Sequence, residues 1–285
     1  MIREKLKQYG LLARFDKPIG ILILMWPTLW ALWLASRGKP DIGVLIVFML
    51  GVVLMRAAGC VINDYADRNI DPHVGRTKLR PIAAGKVAPK EALALFAALA
   101  LVAFALVLLM NTLTIALSVI GAFLAASYPF MKRYTYLPQA YLGMAFGWAV
   151  PMAFAAQLDS IPPVAWVMYL AVLLWALVYD TMYAMVDKDD DLKIGVKSTA
   201  ILFGAYDRQI ICVLQIIIIS LLVVIGQWER LAWPYYGGVL VATGLFIYQQ
   251  TLIVHRDKTQ CFQAFLNSNW LGLAVFIGLV VSFMG

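Results

Sequence analysis

The stretch CVINDYADRNIDPHVGRTKLRP, Cys60 to Pro81, begins where a long apolar run ends and carries three carboxylates, Asp64, Asp67 and Asp71, in its first half. The preceding apolar run is about twenty residues long, enough to cross roughly 30 Å of hydrocarbon as a helix. The acids therefore stand at the mouth of a membrane helix, where charge is costly unless it is partnered.

The rest of the chain supports that reading. Of 285 residues, 63% are hydrophobic and 14% charged, and the mean hydropathy is +0.82. Soluble domains do not reach such values. Windows of about 20 residues place nine candidate spans near 18–36, 42–63, 91–110, 112–130, 136–157, 162–184, 208–227, 232–254 and 264–284. The expected fold is all-α, a single transmembrane domain over 1–285 made of two pseudo-related halves, roughly 1–130 and 131–285.

Residues 1–20 carry charge without an apolar core and a small-residue cleavage site, so they read as an amphipathic segment on the membrane surface and not as a signal peptide. Lys and Arg concentrate in the N-terminus and the loops near 64–90, 131–135, 187–208 and 255–260, whereas the alternate loops hold only Arg37, Lys39 and Arg230. The positive-inside rule puts the first group in the cytoplasm. The net charge of +7 thus reports topology and an anionic ligand, with no nucleic-acid partner. Cys60, Cys212 and Cys261 lack CxxC spacing, which argues against disulfides and zinc and leaves them as small core residues.

Asn63, Asp67 and Asp71 recur four apart, on one face of a helix that Pro72 should end near Asp71. About 120 residues later Tyr179, Tyr183, Asp187 and Asp191 repeat the spacing at the end of the sixth span, with Asp180 and Asp190 close by. Solvated loop acids would explain either cluster alone. Helical spacing, polar groups still at membrane depth, and two occurrences on one membrane side point instead to a shared site. Carboxylate and amide oxygens suit a hard cation, and Mg²⁺ is commonly held by one or two carboxylates while phosphate oxygens and waters complete its shell. The interleaved Arg68, Arg76, Lys78, Arg80, Lys132, Arg133, Lys188, Lys193 and Lys197 fit a phosphorylated substrate. Arg56, seven residues before Asn63 and inside the second span, needs an anion or a carbonyl, supplied either by a structural ion pair or by a substrate. His73 and His255 read as loop residues. A cation-coupled transporter is the alternative from another class, since acids at repeated helix ends also mark ion pathways.

NDYADRNID at 63–71 and DKDDD at 187–191 resemble the two aspartate-rich signatures of the intramembrane UbiA-type prenyltransferases. The resemblance continues through RFDKPIG at 14–20, MRAAGCVIND at 55–64, RPIAAG at 80–85, YPFMKRYTYLPQ at 128–139 and GVKST at 195–199. Within that superfamily the stretches from Lys132 and from Tyr179 are most similar to the 4-hydroxybenzoate polyprenyltransferases of ubiquinone biosynthesis; another aromatic acceptor is the alternative inside the family.

The resemblance implies helices around a central cavity with cytoplasmic caps from the loops at 64–90 and 187–207. It also implies Mg²⁺-dependent transfer of a polyprenyl chain from its diphosphate to the ring carbon ortho to the phenol. It assigns Asn63, Asp67, Asp71, Asp187 and Asp191 to Mg²⁺ and diphosphate, with Asp64 and Asp190 in support. Lys132, four residues after Tyr128, and Lys193 become diphosphate contacts. Arg133 is expected to pair with an aspartate beside the acceptor, and either Arg14 or Arg56 receives the benzoate carboxylate. The bacterial inner membrane is the expected location, with polyprenyl diphosphate, 4-hydroxybenzoate and lipid as partners and no obligatory protein partner.

Overall fold

The computed structural model describes residues 2–73, 75 and 77–284; Arg76 lies outside the described residues, and so does the side chain of His73. Among the described residues the secondary structure is entirely helical. A short helix α1 (Ile2–Leu12) precedes α2 (Ile19–Ala35), α3 (Ile42–Ala66), α4 (Pro89–Val107) and α5 (Thr112–Ser127). The fifth predicted span is broken in two, α6 (Pro138–Gly147) and α7 (Ala149–Leu158). Pro151 accounts for the break, because it has no N–H to offer the Gly147 carbonyl four residues back. Then come α8 (Pro163–Ile194), the short α9 (Thr199–Phe203), α10 (Asp207–Trp228), α11 (Trp233–Leu252) and α12 (Lys258–Ser282).

Each of the nine predicted spans coincides with one of these helices or the α6–α7 pair. Among the described residues, seven helical segments are long and apolar enough to cross a membrane unaided. The other two are α2, apolar but of 17 residues, and α11, which has 20 residues but is less apolar. The protein is integral to the membrane. Polar side chains inside α10–α12 satisfy one another: Gln215 donates to Gln249 at 3.2 Å, Gln249 donates to Asn267 at 3.1 Å, and Gln250 donates to Gln215 at 2.9 Å.

Two boundaries differ from the sequence expectation, and both shape the site. The helix α3 ends at Ala66 with Asp67 as its C-cap, one turn before Asp71; the chain then folds into a turn in which the Ile70 and Asp71 amides both donate to the Asp67 carbonyl. Asp71 so leaves the helix face and turns toward Arg80. Conversely, α8 does not give way to a loop at Asp187. At 32 residues it is about 48 Å long, well beyond the hydrocarbon thickness, so its last turns carry Asp187, Asp190 and Asp191 out of the membrane on a rigid rod. Gly195, at φ 71°, ends it in the left-handed region that glycine adopts without a Cβ clash. The second cap therefore starts at Gly195, not at Asp187.

The N-terminal helix rests on this framework through Leu12 and Tyr9, which pack with Val61, Ile82, Val87 and Ala92, and through an ion pair between Lys5 and Glu91.

Candidate active site

The end of α3 gathers three carboxylates and three cations. Asp64 is fully buried and is paired with Arg14 at 2.7 Å and Arg80 at 3.0 Å. Arg80 also grips both oxygens of Asp71, at 3.1 and 2.9 Å, and so ties the cap back to α3. Lys132 reaches across from the 3-10 turn Tyr128–Arg133 to Asp67 Oδ2. Burial pushes the Asp67 carboxyl above the usual carboxylate range, and Lys132 opposes that shift by favouring the charged form. The other Asp67 oxygen, Oδ1, is buried without a hydrogen-bond partner, as is Asp64 Oδ2. A buried anionic oxygen left open in this way is unstable by itself and suits an incoming cation.

The second cluster lies on α8, with Asp187, Asp190 and Asp191 only half-buried. A strap joins it to the first. The Lys197 amide donates to the Lys132 carbonyl at 3.1 Å, and the Thr199 amide donates to Gln139 Oε1 at 2.9 Å, so the chain leaving α8 is tied to the turn whose lysine holds Asp67. Lys188, on α8, donates to the Gly204 carbonyl and lies 3.8 Å from the buried Asp207, which Arg256 grips.

Behind the first cluster is an apolar cavity of about 190 Å³ whose lining includes Phe48, Met55, Phe104, Phe146, Trp148 and Met152. Its wall also contains Arg56 and Tyr128. Tyr128 donates to the Gly59 carbonyl at 3.5 Å. The Arg56 guanidinium donates to Cys60 Sγ and leaves Nε buried and unpartnered. Tyr179 and Tyr183 pack on Phe265, at ring distances of 6.0 and 4.8 Å.

The two arginines that the sequence left as alternatives are thus in different surroundings. Arg14 is engaged with Asp64, whereas Arg56 faces the cavity. Asn63 is half-buried beside the first cluster. Arg133 donates to the Ala66 carbonyl at the end of α3 and lies over the Phe130 ring at 5.5 Å; among the described residues no carboxylate is within ion-pair distance of it. Lys193 is largely exposed and pairs with Asp190 at 3.5 Å. Arg80 was legible only as one more basic loop residue, with the motif RPIAAG as its signal, yet it bridges two of the acids.

A family model described as the UbiA prenyltransferase family matches residues 24–277. The chain belongs to that family. Among curated UbiA-type relatives it is 64% identical over 283 residues to a 4-hydroxybenzoate octaprenyltransferase of Methylococcus capsulatus, covering 99% of this chain and 97% of that one. It is 60% identical over 284 residues to the protein of the same name from Aeromonas salmonicida, covering 100% of this chain and 98% of the other. Among solved structures, an apo UbiA homologue from Aeropyrum pernix K1 superposes with a TM-score of 0.78 at 27% identity, over 92% of this chain and 96% of that one. A UbiA homologue from Archaeoglobus fulgidus bound to GPP and Mg²⁺ has a TM-score of 0.70 at 17% identity, over 96% and 99%, which shows a common fold.

Proposed function

We propose that this UbiA-family enzyme is a 4-hydroxybenzoate polyprenyltransferase that transfers a polyprenyl chain from its diphosphate to the ring carbon ortho to the hydroxyl. The observation that carries this reading is the junction of the two acidic clusters, through Lys132 and the 197–199 strap, at the head of an apolar cavity whose wall holds a guanidinium. The names of the near-full-length relatives support the same acceptor and reaction.

The donor set suits Mg²⁺. It consists of oxygens only, and it includes the open Oδ1 of Asp67. Among the described residues no three acids, histidines or cysteines converge into a closed cage, which agrees with an ion that takes one or two carboxylates and completes its shell from phosphate and water. Asn63, Asp67, Asp71, Asp187 and Asp191 would together hold Mg²⁺ and the diphosphate, with no more than one or two of the carboxylates on any one ion, and Asp64 and Asp190 in support. Bound there, Mg²⁺ supplies positive charge against the departing diphosphate.

The chain's own residues perform the remaining tasks. Lys132 exchanges Asp67 for a diphosphate oxygen, and Lys193 reaches the same group from α8. Arg56 holds the benzoate carboxylate and so directs the ring toward the allylic carbon. The C–O bond to diphosphate breaks, the ring carbon ortho to the phenol supplies the electron pair for the new C–C bond, and that carbon then loses its proton. The apolar lining excludes water that would otherwise capture the allylic cation. Arg133 pins the end of α3 and so keeps Asp67 in place.

Charge asymmetry sets the orientation in this reading, with the N-terminus and the site on the cytoplasmic side of a bacterial inner membrane. The two acidic helix ends correspond to two related halves, roughly 1–130 and 131–285.

The test is incubation of the purified protein with Mg²⁺, a labelled polyprenyl diphosphate and a panel of aromatic acceptors, with products resolved by mass. A prenylated 4-hydroxybenzoate is expected, lost on chelation with EDTA and regained with Mg²⁺. Preferred prenylation of a different acceptor, or full turnover under strict chelation, would refute the corresponding part. Arg56→Gln should raise the acceptor KM about 10- to 150-fold, the span of one charge-assisted hydrogen bond, with the donor KM little changed.

A further inference from the structure

We infer that Gly20 is a positioning residue for the acceptor site, acting through Arg56. The inference rests on the reading of Arg56 as the carboxylate contact. Arg14, Arg80 and Lys132 are each held by carboxylates, but among the described residues no carboxylate lies within ion-pair distance of Arg56. Something other than an ion pair must therefore aim a long and flexible side chain. One restraint is Cys60 Sγ, one helical turn further along α3, which accepts from Nη1.

The other is the bare backbone of the first turn of α2. Gly20 is buried, and a Cβ built on it would stand 2.7 Å from the Arg56 Cζ and closer still to Nε and Nη2. Those three are its nearest neighbours, so the Nε–Nη2 edge of the guanidinium points into the space where any other residue would carry a methyl group. That close approach also shuts Nε off from a partner of its own. Helix propensity offers no competing reason for glycine here, since alanine serves a helix at least as well.

The consequence is selective. The atoms that a new methyl would meet are the end of a flexible side chain and not backbone, so Gly20→Ala should displace the guanidinium while leaving the α2–α3 packing intact. The displaced group no longer matches the acceptor carboxylate.

The test is steady-state kinetics with both substrates varied, on Gly20→Ala, Arg56→Gln and the double variant, alongside thermal melting in detergent. Gly20→Ala should raise the acceptor KM by about tenfold or more, the loss expected when one charge-assisted hydrogen bond is misplaced. The donor KM should stay within about twofold of wild type and the melting temperature close to it. In the Arg56→Gln background the same substitution should change the acceptor KM by less than about twofold, because residues acting through one contact are not additive.

An unchanged acceptor KM in Gly20→Ala, with a large rise in Arg56→Gln, would overturn the role of Gly20 and leave that of Arg56 standing. An unchanged acceptor KM in Arg56→Gln would overturn both. Additive effects in the double variant, or a Gly20→Ala protein that cannot be purified folded in either background, would also overturn it, since the methyl would then be meeting more than the guanidinium.

Discussion

Replacing Arg80 by Gln should unlatch the cap over the site. Arg80 is 15% exposed and joins Asp64, fully buried, to Asp71, 6% exposed. In the variant Asp64 keeps Arg14 at 2.7 Å, but Asp71 is left without a cation among the described residues. Removing one partner of a buried ion pair costs about 3–5 kcal/mol, and the surviving Arg14 contact favours the lower end, about 3 kcal/mol. That is roughly a 150-fold shift in the equilibrium between latched and open cap. Amide hydrogen exchange in detergent micelles reads this directly. The Asp71 amide bonded to the Asp67 carbonyl at 2.8 Å, and the Ala84 amide bonded to the Arg80 carbonyl at 2.8 Å, should exchange about a hundredfold faster, as an opening of that size requires. Arg80→Lys should fall between, because lysine keeps the charge but not the fixed, planar guanidinium whose Nη1 reaches both acids. Exchange within about threefold of wild type in Arg80→Gln, on the scale where a surface ion pair contributes little, would refute the latch.

Asp67→Asn and Asp191→Asn should each lower turnover by more than about 100-fold, the scale of losing an electrostatic catalytic contact; a near-normal rate in a prenyl-transfer assay would remove that residue from the catalytic machinery. Lys132→Met should raise the donor KM by about tenfold or more, with the acceptor KM unaltered, the reverse of the Arg56→Gln pattern. Gly238→Val tests the frame and not the chemistry. A Cβ there would stand 2.6 Å from the Ala274 carbonyl oxygen, backbone against backbone between α11 and α12. Overpacking of about 1–3 kcal/mol should lower the melting temperature while the remaining folded protein keeps both KM values.

Much of the architecture was legible without tertiary information, because the properties that carry it are local. Apolar runs of membrane length located each of the nine spans found among the described residues. Four-residue spacing picked out both acidic clusters, although the segment from Asp187 expected as a cap loop proved to be the last turns of α8, which runs on to Ile194. Local spacing also misled at one point: Asp71 keeps helical register with Asn63 and Asp67 in the sequence, yet α3 ends at Ala66, and Arg80, nine residues beyond Asp71, ties Asp71 to Asp64.

Which charge meets which was decided by the packing of segments far apart in the chain. Arg14 and Asp64 are 50 residues apart, and Lys132 and Asp67 are 65 apart; no periodicity encodes such pairs, since they exist only once α1, α3 and the turn after α5 are docked. The same docking separates the two arginines that composition and spacing could not rank. Arg14 is brought onto a buried aspartate and is held there, while Arg56 is carried to the cavity wall, where its guanidinium lies against the bare backbone of Gly20.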